Sequence, residues 1–151
     1  MKQFLLLFVA VLTLTSCIND DDYSNYVYEF LPTVSADVPE QVVLGETYRI
    51  TIDYIKPTSC YIFDDIYYVA TNEDIDDVDG EPISTEIRTV AVINVVNEDI
   101  DCTDLSDEEG QATAQFNFAP QKVGPYLFKF WIGEDEDGED LFIEYETLVV
   151  E

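Results

Sequence analysis

The chain has 151 residues, enough for one domain with a real core, and 47% of them are hydrophobic, so its acidity does not signal disorder. With 33 acidic and 6 basic residues it carries a formal charge of −27, which argues against nucleic acid as a partner, because binding it means neutralising phosphates. There is no histidine, so Ser–His and Cys–His nucleophile systems are excluded and the commonest transition-metal ligand is missing.

Met1 to Cys17 reads MKQFLLLFVAVLTLTSC. Lys2 gives a positive start, Phe4 to Leu12 form an apolar run too short to span a bilayer, and small and hydroxyl residues precede the cysteine. That is the pattern of a secretory signal. Its last four residues, Leu14-Thr15-Ser16-Cys17, resemble the bacterial lipobox. The resemblance implies cleavage before Cys17, a diacylglyceryl group on its sulfur and acylation of its new amine. Residues 1–16 are then the signal peptide of a lipoprotein, and 17–26 the lipidated cysteine with an acidic tether. Asp20-Asp21-Asp22 in that tether cannot pack and stays solvated. The run resembles the acidic export signal of surface lipoproteins in Bacteroidetes; the plainer reading is a flexible spacer without an address.

Residues 27–151 read as one β domain. Tyr28 to Val34 is β-prone but broken by Pro32, which marks an edge strand or a switch point. Pro39 and Gly45 bracket Val42-Val43-Leu44. The clearest strand follows: Tyr48, Ile50, Ile52 and Tyr54 share one face, and Arg49, Thr51 and Asp53 the other. After a turn at Lys56 to Ser59, Cys60 to Thr71 is a further strand with a bulge at Asp64-Asp65. Asn72 to Pro82 reads as an acidic loop. Ile87 to Val96 is apolar on both faces, the mark of a central strand covered on both sides. A second acidic loop, Asn97 to Gly110, holds Cys102. Ala112 to Ala119 alternates, and so does Tyr126 to Gly133, with Leu127, Lys129 and Trp131 outward. Glu134 to Asp140 is a tight acidic turn, and Leu141 to Val150 closes a hairpin.

No stretch shows sustained helical periodicity. About seven short strands with regular turn signals predict an all-β, antiparallel two-layer sandwich. Phe116-Asn117-Phe118, the corner at Gly124, Tyr126 and the acidic hairpin resemble strands E, F and G of an immunoglobulin-like domain. Pro39 to Ile52 resembles the stretch leading into strand B. The cysteines depart from that pattern, since the strands that match B and F carry none.

With Cys17 lipidated, Cys60 and Cys102 remain, and in an oxidising compartment an isolated pair bridges. The bridge would be worth on the order of 3–4 kcal/mol in the chain-entropy picture. No cofactor is required by any motif. Calcium is the one ion the sequence offers: Asp135, Asp137 and Asp140 sit in a DxDG turn, with Glu144 at the spacing of a last ligand. Asp77-Val78-Asp79-Gly80 with Glu86 repeats it. The competing reading is an acidic β-turn whose Asp and Gly residues supply backbone geometry. Trp131 is the aromatic that alternation places outward, where it can stack on a sugar or anchor a protein contact.

The sequence therefore predicts a non-catalytic, lipid-anchored protein of the outer membrane. It would face the cell surface, or alternatively the periplasm, and bind an envelope protein or a glycan. A calcium-stabilised adhesion module is the first alternative. A small carbohydrate-active enzyme is the second, and it needs a carboxylate-lined cleft.

Overall fold

The computed structural model describes residues 25–76 and 82–151, and the alternation of their apolar side chains sets the architecture. The described residues form nine strands and no helix. They are β1 (Tyr26–Leu31), β2 (Thr33–Asp37), β3 (Gln41–Val43), β4 (Tyr48–Ile55) and β5 (Tyr61–Asp76), then β6 (Pro82–Asn97), β7 (Gln111–Phe118), β8 (Gly124–Glu134) and β9 (Asp140–Val150). Six make one sheet, in the order β1-β6-β8-β9-β3 with β5 on the other edge of β6. Three make the other, β2-β4-β7. The expected all-β sandwich is thus found, with nine strands in place of about seven.

Pro32 is the switch point. It separates β1, in the larger sheet, from β2, in the smaller, so one continuous stretch edges both layers. A proline donates no ladder bond, which makes the crossing inexpensive there. The bulge expected at Asp64-Asp65 is present as a register shift between Phe63 and Asp65. Five of the seven pairings are antiparallel. The other two, β3 with β9 and β6 with β8, are parallel. The chain travels from β6 to β8 through β7 in the opposite layer, which returns it in the same direction.

The acidic stretch after Thr71 is not a loop over most of its length. β5 and β6 stay paired to Asp76 and Pro82, as a ribbon whose described side chains from Asn72 to Ile75 are exposed. Asp and Glu are poor strand formers, but strand propensity yields to context, and here the ladder continues without a break from the buried part of the β5–β6 pair.

Between the layers lies the core. Ile50, Ile52 and Tyr54 of β4, with Ala114 and Phe118 of β7, meet Val90 and Val92 of β6 and Tyr126, Phe128 and Phe130 of β8. The Phe118 ring stands edge-on to Phe128 at 5.0 Å and to Tyr126 at 5.4 Å. Asn94 is the exception in this interior: it is fully buried, beside the Tyr54 phenol, yet neither of its amide atoms makes a hydrogen bond among the described residues. Burial pushes the Tyr54 phenol up.

The Cys60–Cys102 disulfide joins the start of β5 to the β6–β7 loop, with Cα atoms 5.5 Å apart. Around it the loop is clipped to the chain before β5. Ser59 N–H donates to Thr103 O at 3.0 Å, and Leu105 N–H to Pro57 O at 2.9 Å. Where the loop ends, Gly110 lies so close to the Lys56 carbonyl that a Cβ would collide with it, so only glycine fits.

Candidate functional site

Trp131 does not stand alone. Strand alternation puts Tyr26, Tyr28 and Phe30 of β1 on the outer face of the larger sheet, together with Ile62 and Tyr67 of β5 and Trp131 of β8. The Phe30 ring lies 5.8 Å from Trp131 and 5.6 Å from Tyr67, tilted to both. Beneath them is Ala91 of β6, paired with Tyr67 and only 3% exposed. A small side chain at this point leaves room for three rings to lean inward from neighbouring strands. Phe30 and Tyr67 nevertheless remain 45% and 43% exposed, and Tyr28 and Ile62 are 64% and 60% exposed.

The expected double covering of β6 is therefore of two kinds. Its inner side lies beneath the smaller sheet. Among the described residues, its outer side is screened only by side chains of the flanking strands.

The acidic turn holds this tryptophan in place. Trp131 Nε1–H donates to Asp140 Oδ1 at 2.8 Å. Asp135 Oδ1 accepts from the backbone N–H groups of Asp137 and Glu139, each at 2.9 Å. Gly138 closes the turn at φ +81°, which glycine adopts without strain. Two of the three carboxylates proposed for calcium thus use an oxygen on the turn itself or on the indole. Among the described residues, no group of three or more Asp, Glu, Cys or His gathers as a metal site. Glu144 pairs instead with Lys129 at 3.2 Å. Asp77 to Gly80 and Cys17 lie outside the described residues. Glu86, assigned to the second calcium loop, turns inward to Lys122 at 2.7 Å and Arg88 at 3.2 Å.

Sequence reading singled out Trp131 and missed its neighbours. The signal was available in part: Tyr26, Tyr28 and Phe30 recur at the two-residue spacing of a strand face. What the spacing cannot show is that β1 and β8 lie along the same edge of β6, which brings Phe30 to Trp131.

Compared with known proteins, the chain matches no family model, no curated protein and no solved structure.

Proposed function

We propose that the protein is a non-catalytic, lipid-anchored module of the bacterial envelope that binds a protein partner through the aromatic outer face of its larger sheet. One observation carries this reading: Phe30, Tyr67 and Trp131 form a contiguous, partly exposed aromatic group on a broad sheet face, with the indole N–H fixed by Asp140. Fixed aromatic anchors lose little conformational freedom on association, and Trp and Tyr are the residues that dominate protein contacts. A broad surface suits a protein better than a small ligand, which needs a concave site. The lipobox-like segment ending at Cys17 supports attachment to a membrane, and the acidic tether supports display away from it.

The test is photo-crosslinking in cells, with a photoreactive residue in place of Tyr67. A discrete protein adduct is expected, and it should disappear when Trp131→Ala is added. A control with the photoreactive residue at Arg49, on the smaller sheet, should yield no such adduct. Equal adducts from both positions would sink the reading, and a smear of carbohydrate adducts would redirect it to a glycan. Separately, Cys17→Ala should free the protein from membranes. Protease treatment of intact cells should then place the domain at the surface if it is digested, or in the periplasm if it survives until the outer membrane is opened.

A further inference from the structure

The two layers are unequal, and the inequality opens a second site away from the aromatic face. Among the described residues the smaller sheet ends at β7, with no further strand beside it, while β5 and β6 continue the larger sheet past that edge. Between them lies a cleft of about 740 Å³. Its walls are aromatic: Tyr68 of β5 meets Phe116 of β7 edge-on at 5.6 Å. Its floor is polar. The Arg88 guanidinium sits 4.8 Å above the Tyr126 ring, and Arg88 Nη2 and Lys122 Nζ both donate to Glu86.

Tyr126 is 1% exposed, and its hydroxyl has no hydrogen-bond partner among the described residues. A buried hydroxyl without a partner costs about 1–3 kcal/mol, so it calls for a polar atom close by.

From this arrangement we infer that the cleft between β5 and β7 binds a neutral, polyhydroxylated ring of pyranose size. Charge balance excludes the obvious alternatives. Two of the chain's 6 basic residues converge here, but both pair with one carboxylate. An anion would have to compete with Glu86 for them, against a protein of formal charge −27. A cation would meet Glu86, already neutralised twice, and one further lining carboxylate, Asp65, whose Oδ1 accepts from the Ile66 N–H. What remains free suits hydroxyl groups. Arg88 has five N–H donors and Lys122 three, more than Glu86 and the nearby carbonyls use. Asn117 and Gln121 at the rim offer an acceptor and a donor each. The Tyr68 and Phe116 rings provide apolar surface for the carbon face of a sugar.

Glu86 acts here as an acceptor and not as a general acid. The hydrogen bond from Lys122, and then that from Arg88, hold its carboxyl below the usual carboxylate range. Glu86 is therefore a poor general acid, since glycoside hydrolysis requires a carboxylic acid that keeps its proton.

Saturation-transfer NMR on the full chain in detergent tests this, with glucose, galactose, mannose and N-acetylglucosamine as probes and glucuronate as the charged comparison. Transfer to at least one neutral pyranose is expected, with weaker transfer to glucuronate. Tyr68→Ala should weaken binding about tenfold, as expected for one aromatic contact. Tyr68 is 41% exposed on an edge strand, so this variant should fold. Lys122→Ala, which removes a largely exposed side chain, provides a second fold-safe variant and should also weaken binding. Trp131→Ala should leave binding intact, which separates this site from the proposed protein contact. No transfer to any neutral pyranose would overturn the inference. So would transfer to glucuronate alone, or binding that survives Tyr68→Ala and Lys122→Ala and is lost in Trp131→Ala.

Discussion

The inner and outer faces of the larger sheet are built from the same kinds of residue and end in different states. Phe130 points inward, fully buried, 5.7 Å from the Tyr145 ring. Trp131, the next residue, points outward into a half-open group of rings. The same holds on β1, where Leu31 is buried and Phe30 is 45% exposed. Hydrophobic content therefore does not separate core from contact surface in this protein. What separates them is whether a second sheet lies opposite, and among the described residues only the inner face has one.

That difference can be broken by adjacent truncations. Phe130→Ala should cost about 3–5 kcal/mol, because it removes a buried ring and leaves a cavity the two sheets cannot close. Trp131→Ala should cost about 1 kcal/mol, for one hydrogen bond and a partly exposed ring contact. Urea denaturation of both variants measures this directly. Equal losses would mean that the outer rings are a second core and not a surface. A small loss for Trp131→Ala, with loss of the Tyr67 crosslink, would make the outer face functional and nearly dispensable for folding.

Much of this architecture was legible from alternation. Tyr48 to Tyr54 announced β4, Pro32 announced the change of sheet, and Asp64-Asp65 announced the bulge. These are local signals, written in side-chain period and backbone chemistry. The features missed are non-local. Charge at Asn72 to Ile75 suggested a loop, but pairing with Ile83 to Glu86 fixed a strand. The parallel run of β6 beside β8 has no signature in either segment. The contact between Trp131 and Asp140 needs the register of the β8–β9 hairpin, including its shift between Trp131 and Gly133. Glu86 looked like a calcium ligand by spacing and became an ion-pair partner because β6 turns it toward the cleft.

The disulfide sharpens the comparison from the edge. β5 supplies Tyr61 and Ile66 to the inner face and Ile62 and Tyr67 to the outer, and its first residue adjoins the bridge. Replacing Cys60 and Cys102 together with alanine should lower stability by about 4 kcal/mol in the chain-entropy picture, given the 42-residue separation. Denaturation with and without reductant should reproduce the loss in the unmodified protein. If only β5 detaches, amide exchange will rise along Tyr61 to Asp76 while β8 and β9 stay protected. Both faces would then lose the same strand, and the outer group would lose Tyr67 while keeping Phe30 against Trp131. Uniform exchange across both sheets would instead show that the bridge stabilises the whole sandwich.

The smallest effect concerns a hydrogen bond that crosses β6 on its inner side. β1 and β5 flank the same stretch of β6: Val96 pairs with Val27 on one edge and with Tyr61 on the other. The Tyr61 hydroxyl donates to Glu29 Oε2 at 2.7 Å, tying the two outer strands together. The carboxylate acceptor, followed by burial, pushes the Tyr61 phenol up to about 12 from its usual 10. A raised folded value means that the bond's contribution is complete below the unfolded value and is lost as pH rises through the folded one. The tie should thus be intact below pH 10 and fail toward about 12. Tyr61 is partly open to solvent, so screening keeps the stability change small. Burial also raises the Tyr54 and Tyr68 phenols, so phenolate absorbance should show a late step that loses one tyrosine's amplitude in Tyr61→Phe and one tyrosine's delay in Glu29→Gln. If Tyr61→Phe leaves the late step unchanged, another phenol supplies it and the bond does not link β1 to β5. If that amplitude disappears while the outer-face crosslink from Tyr67 persists at high pH, the aromatic surface does not depend on this inner tie. Its geometry would then rest on the β6 ladder that both edge strands share.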